Sequence, residues 1–122
     1  MAPIDYTNIR FLQGVLSKHN CVASFERADV GDDIIFRIER SDGRKSLSLW
    51  YSDAYEFGPA EYLGRPHVIR RGDFILLKPE AKFGGDVFER SQGDGILIGK
   101  VRELMGALNW SEVWKYKPKS KG

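Results

Sequence analysis

From Asp32 to Ser52 the chain reads DDIIFRIERSDGRKSLSLWYS, and its apolar and polar positions alternate on either side of Asp42-Gly43. An Asp-Gly pair supplies the positive φ that a type I′ hairpin turn needs at both central residues. With Ser41 and Arg44 closing the turn, Ile38 pairs with Leu47, Phe36 with Leu49 and Ile34 with Tyr51. The period of two places these six on one apolar face. The other face pairs Glu39 with Ser46, Arg37 with Ser48, Ile35 with Trp50 and Asp33 with Ser52. It is polar near the turn and apolar further away, so Trp50 requires cover from elsewhere.

The flanking chain supplies further elements. Asp5 or Thr7 caps a first helix with Ile9, Leu12, Val15 and Leu16 on one face, ending at Asn20. Cys21 to Arg27 reads as a short strand with Cys21, Ala23 and Phe25 on one side. Asp53 to His67 is a long connection with Tyr55, Phe57 and Tyr62, broken by Gly58-Pro59 and Arg65-Pro66. Its rings are expected to cover Trp50. Phe74-Ile75-Leu76-Leu77 and Ile96-Leu97-Ile98 are continuous apolar runs, the pattern of strands buried on both faces. Between them Gly85-Asp86 opens a short helix with Val87 and Phe88 inward. Gly99 to Asn109 predicts a last helix with Val101, Leu104, Met105 and Leu108 on one stripe. The fold class this order predicts is α/β (α+β): a single domain with a mixed β-sheet of about five strands, an antiparallel meander and helices on both faces.

Composition changes this picture little. At 122 residues, 42% hydrophobic and 30% charged, the chain can bury a core without staples. A net charge of +2 does not force an anionic partner. Cys21 is the single cysteine, so no internal disulfide forms and a reducing cytoplasm is expected. The first residues, MAPIDYTN, lack the apolar stretch of a signal peptide, and no apolar run reaches the length of a membrane span, so no membrane partner is expected.

The order of helix, three-strand meander, helix and strand resembles the restriction-endonuclease-like (PD-(D/E)XK) nuclease superfamily, over residues 5–109. That resemblance implies an Asp at the start of the second strand and a carboxylate two residues before a Lys on the third, which together hold a divalent metal. Two carboxylates bind the ion, and the Lys steadies an attacking water or the charge developing on phosphate. Asp33 stands at the first position. The third strand, Ser46 to Ser52, carries Ser48 or Trp50 where the second carboxylate belongs, and no Lys. The active-site motif is degenerate. Substitutes are Glu26, should it lie beside Asp33, and Glu80 of Glu80-Ala81-Lys82. The candidate catalytic set is Asp33, Glu26 and Glu80. Asp33 and Glu26 are the candidate metal ligands, with Mg²⁺ as cofactor only in a catalytic protein. The resemblance also places Lys100 at the start of the last helix, where a phosphate could bind.

No phosphate-binding Gly-rich loop, dinucleotide fingerprint or zinc spacing is present, and His19 and His67 are isolated. Residues 110–122 form an aromatic and Lys-rich tail beyond the 1–109 domain. Lys115, Tyr116, Lys117 and Lys119 combine basic charge with a ring, as phosphate neutralisation and base stacking require. Arg37, Arg70 and Arg71 could extend the patch. The expected function is a nucleic-acid-associated protein that binds rather than cleaves. The alternatives are a non-enzymatic protein–protein interaction module, with a protein partner or a homodimer through the Trp50 and Tyr55–Tyr62 rings, and an active metal-dependent nuclease.

Overall fold

The hairpin has the expected register. Strands β2 (Ile34–Arg40) and β3 (Leu47–Ser52) pair antiparallel, with Ile38 opposite Leu47, Phe36 opposite Leu49 and Ile34 opposite Tyr51. The structure is a computed structural model and describes residues 6–41, 43–110 and 113–115. The turn residue Asp42, the capping candidate Asp5 and the tail residues Tyr116, Lys117 and Lys119 lie outside the described residues.

Strand β1 (Val22–Arg27) adds antiparallel to β2, completing the meander. Beyond β3 the sheet becomes parallel. The connection after β3 holds a two-residue strand β4 (Glu56–Phe57) and helix α2 (Pro59–Leu63) before β5 (Phe74–Leu77) pairs with β3. Strand β6 (Lys82–Phe83) pairs with β4 in a small second sheet, helix α3 (Gly85–Gly93) follows, and β7 (Leu97–Gly99) pairs with β5. The five-stranded order is β1-β2-β3-β5-β7. Helix α1 (Tyr6–Lys18) precedes the sheet, and α4 (Val101–Ala107) and a 3₁₀ turn at Val113–Lys115 follow it.

Both faces of the sheet are covered, which is why β3, β5 and β7 are buried at every position. On one face Phe36, Ile38, Leu49, Phe74, Leu76 and Leu97 pack with Ile9, Leu12 and Leu16 of α1 and Leu104 and Ala107 of α4. On the other, Ile35, Trp50, Ile75, Leu77 and Ile98 pack with Tyr62 of α2 and Val87 of α3. Burying each of these larger side chains contributes about 1.5–3 kcal/mol. The cover for Trp50 comes from the connection, as expected: the Phe57 ring meets it edge-on at 5.8 Å between centroids.

Three local expectations change. Between Val22 and Ser24 the β1 register shifts, and the extra residue puts Val22 and Phe25 on the core side while Ala23 is exposed. The Asp53–His67 connection carries regular structure, because Pro59 sits in the first turn of α2 and Glu61 Oε1 accepts the Gly58 N–H at 2.8 Å. Met105 is 45% exposed, because α4 buries Leu104, Ala107 and Leu108 instead. The C-terminal carbonyls beyond α4 are met by a buried cation. Arg40 donates from Nη1 to Leu108 O at 3.2 Å and Trp110 O at 2.6 Å, and from Nε to Lys45 O at 2.7 Å.

Candidate functional site

Candidate side chains gather at the two opposite ends of the sheet, with opposite charge. At one end β2 begins and β3 and β5 finish, because β2 runs against its neighbour while β3 and β5 run together. Asp33 lies there, half-buried, beside the Trp50 indole. Burial pushes its carboxyl above the ordinary carboxylate value, and the charges of Asp32 and then Asp53 push it further, while the Trp50 indole opposes them. Asp53, the residue after β3, is an acid at this end that the sequence reading passes over. Its signal was its place one residue beyond the strand in which a carboxylate was sought.

Glu26 does not join Asp33. The β1–β2 register sets Glu26 opposite Arg37, whereas Asp33 bridges Val30. Arg37 is four residues along β2 from Asp33, or about 13 Å at the rise of an extended strand. Glu80 is exposed, past Pro79 and beyond the end of β5, so Glu80-Ala81-Lys82 is not a mid-strand pair. Among the described residues no three His, Cys, Asp or Glu side chains form a group that could hold a metal ion. Asp33 therefore lacks Glu26 as the partner carboxylate that the sequence suggested for it.

At the other end three predicted arginines meet. Arg37, Arg70 and Arg71 border one cavity of about 410 Å³ beside the starts of β3 and β5, on the face that carries α2 and α3. Arg37 is exposed but aimed: Nη1 donates to Ser48 Oγ at 3.0 Å and Nη2 to Ser46 Oγ at 3.1 Å. Arg70 and Arg71 lie on the loop that enters β5. Asp73, 7% exposed, holds that loop. One carboxylate oxygen accepts the Ser48 N–H at 2.8 Å and the other accepts the Arg70 N–H at 2.9 Å. Gly72 turns the loop at φ +98°, a conformation that favours glycine, and its N–H donates to Gly95 O at 2.8 Å.

Asp73 is the second residue that the sequence reading passes over. Burial pushes its carboxyl above the ordinary value. The Ser48 and Arg70 amides oppose that shift, as do the Arg37 and Arg70 charges. Its two oxygens are occupied by backbone donors, so the guanidiniums of Arg37 and Arg70 are left facing the cavity. Among the described residues the Arg70 side chain makes no hydrogen bond or close ion pair, while Arg71 lies over the Trp114 ring at 5.4 Å. The site can hold an anion between cations fixed on two different elements.

The remaining candidates stand elsewhere. Lys100 is engaged, with Nζ donating to Pro79 O at 2.6 Å and its N–H to Glu103 Oε1 at 2.8 Å. The Glu103 carboxylate thus occupies the start of α4, where the sequence suggested a phosphate. Lys78 Nζ lies 3.7 Å from the Tyr55 ring centre. Lys115 closes the 3₁₀ turn and is exposed. The ring patch imagined for a protein partner is not at the surface: Trp50, Phe57 and Tyr62 are buried, and Tyr55 is the exposed ring of that group. No helix among the described residues is long and apolar enough to cross a membrane. Comparison with protein-family models, with curated proteins and with solved structures found no match to this chain.

Proposed function

We propose that this chain is a nucleic-acid-associated protein of endonuclease-like architecture that binds polynucleotide rather than cleaving it. The observation that carries the reading is the convergence of Arg37 with Arg70 and Arg71 on one cavity wall, from positions more than thirty residues apart. Phosphate neutralisation by such cations supplies most sequence-independent affinity for nucleic acid. The meander followed by parallel strands, with helices on both faces, agrees with the element order on which the superfamily resemblance rests. Binding without cleavage is supported by β3, where Ser48, Trp50 and Ser52 stand in place of a carboxylate and Lys.

The test is a salt titration of binding to labelled single-stranded DNA, duplex DNA and RNA. Three phosphate contacts on duplex give a log–log slope of about −2.7, or roughly a 40-fold loss between 50 and 200 mM salt. Replacing Arg70 and Arg71 together by Ala reduces that slope by about two. Absent binding at low salt, or binding indifferent to salt, rejects the proposal. Incubation of plasmid and oligonucleotide with Mg²⁺ is expected to leave both intact. Cleavage that disappears in Asp33→Ala would instead establish a working nuclease.

A further inference from the structure

The arginine cavity is amphipathic, and that narrows what it can take. Its rim carries Arg37 and Arg70, and its wall includes Val30, Ile35 and Val68. A bare phosphate would satisfy the rim and leave the aliphatic wall wet. A continuous duplex presents a broad convex backbone, which can touch the rim but cannot place a nucleoside in a recess of about 410 Å³. The volume lies within the range of small-molecule sites. Resting on the nucleic-acid reading, we infer that the cavity receives one unpaired nucleotide unit, at a strand end or displaced from a duplex. Its phosphate meets Arg37 and Arg70, and its base or sugar lies on Val30, Ile35 and Val68.

The arrangement suits that ligand in two respects. Ser46 and Ser48 hold the Arg37 fork toward the cavity, so little side-chain freedom is lost on binding. The Asp73 carboxylate has both oxygens engaged with backbone amides, so it neutralises part of the local charge without capping either guanidinium.

The experiment uses the full chain with methyl-labelled Val and Ile, observed by NMR during titration with a deoxynucleoside 5′-monophosphate and, separately, with inorganic phosphate. A labelled single strand is then competed with the same mononucleotide. The expected result is that the mononucleotide shifts the Val30, Ile35 and Val68 methyl signals and displaces the strand. Phosphate alone leaves those methyls in place. Arg70→Ala, on an exposed side chain, weakens the mononucleotide at least tenfold, and Arg37→Lys, which keeps the charge but loses the fork, weakens it several-fold. An unchanged methyl spectrum at other positions shows that both variants are folded. If the strand binds with the expected salt dependence but the mononucleotide neither competes nor moves these methyls, this inference is overturned and the nucleic-acid reading stands. Phosphate reproducing the whole effect also overturns it, leaving an anion site. If neither strand nor mononucleotide binds, both fall together.

Discussion

Replacing Asp73 by Asn separates what the carboxylate does for the fold from what it does for the cavity. The wild-type side chain accepts two backbone N–H groups, from Ser48 at 2.8 Å and Arg70 at 2.9 Å. Asn keeps one acceptor and turns an amide donor toward the other N–H. That removes a hydrogen bond to a charged group, about 1.5–3 kcal/mol. The loss is offset in part, because a buried charge no longer has to be desolvated. The net expectation is a loss of about 1–2 kcal/mol, which for a chain of this size lowers Tm by roughly 4–8 °C. Burial raises the folded-state pKa of Asp73 above its ordinary 3.8. Its protonation therefore contributes stability that is fully present below 3.8 and lost as pH rises through the folded value, and the Asn variant lacks that slope. At the cavity the sign is opposite. Removing a negative charge beside Arg37 and Arg70 is expected to strengthen oligonucleotide binding about two- to fivefold, the scale of one partly exposed ion pair. Urea unfolding followed by tryptophan fluorescence, paired with binding anisotropy at one salt concentration, measures both. An unchanged midpoint together with unchanged affinity would refute the assignment of Asp73 as the post that holds the Arg70 loop.

Three further outcomes test the fold. Arg40→Met removes the hydrogen bonds from Arg40 to the Lys45, Leu108 and Trp110 carbonyls, so a loss of about 3 kcal/mol is expected in denaturant melts; a loss under about 1 would contradict the capping role. Tyr62 donates to Asp94 Oδ2 at 2.5 Å, and burial first, then that bond, lifts its pKa from 10.0 to about 12. The neutral phenol thus contributes stability that is present below pH 10 and lost as pH rises toward 12; alkaline melts of Tyr62→Phe should lack that component and show a loss of about 1 kcal/mol at pH 7. Gly72→Ala forces a Cβ into a left-handed conformation at φ +98° and is expected to cost about 1–2 kcal/mol, with looser oligonucleotide binding as the arginine loop shifts; equal stability would show that the loop adapts.

The residues that announce themselves in the sequence are those governed by local rules. The hairpin register follows from a period of two, and Phe74–Leu77 and Ile96–Ile98 declare burial on both sides by having no polar position. What stays hidden depends on pairs far apart in the chain. A bulge adds one residue to β1 without altering its composition, so Ala23 was placed on the wrong side and Val22 was missed. The same register carries Glu26 away from Asp33. Met105 fits the apolar stripe of α4, but only the packed structure decides which side of a seven-residue helix is covered. Asp73 reads as a turn acid after Gly72. An acid directly before a run buried on both faces is nonetheless a signal, since such a carboxylate needs specific donors. Arg37, Arg70 and Arg71 were each legible as candidates, whereas their meeting required β3 to lie between β2 and β5.

Strand order in space follows strand order in the chain, β1-β2-β3-β5-β7. No strand is inserted between two earlier ones, so during synthesis each new segment finds an open edge already waiting. The meander can assemble from neighbours close in sequence, whereas Leu49 waits for Phe74 and Phe74 in turn waits for Leu97. Growth in one direction leaves the two parallel pairings, each between residues more than twenty apart, as the slow, non-local steps. A ribosome-bound chain with residues 1–60 emerged would therefore already protect the amides of β2, while the β3 amides that pair with β5 would stay open to exchange.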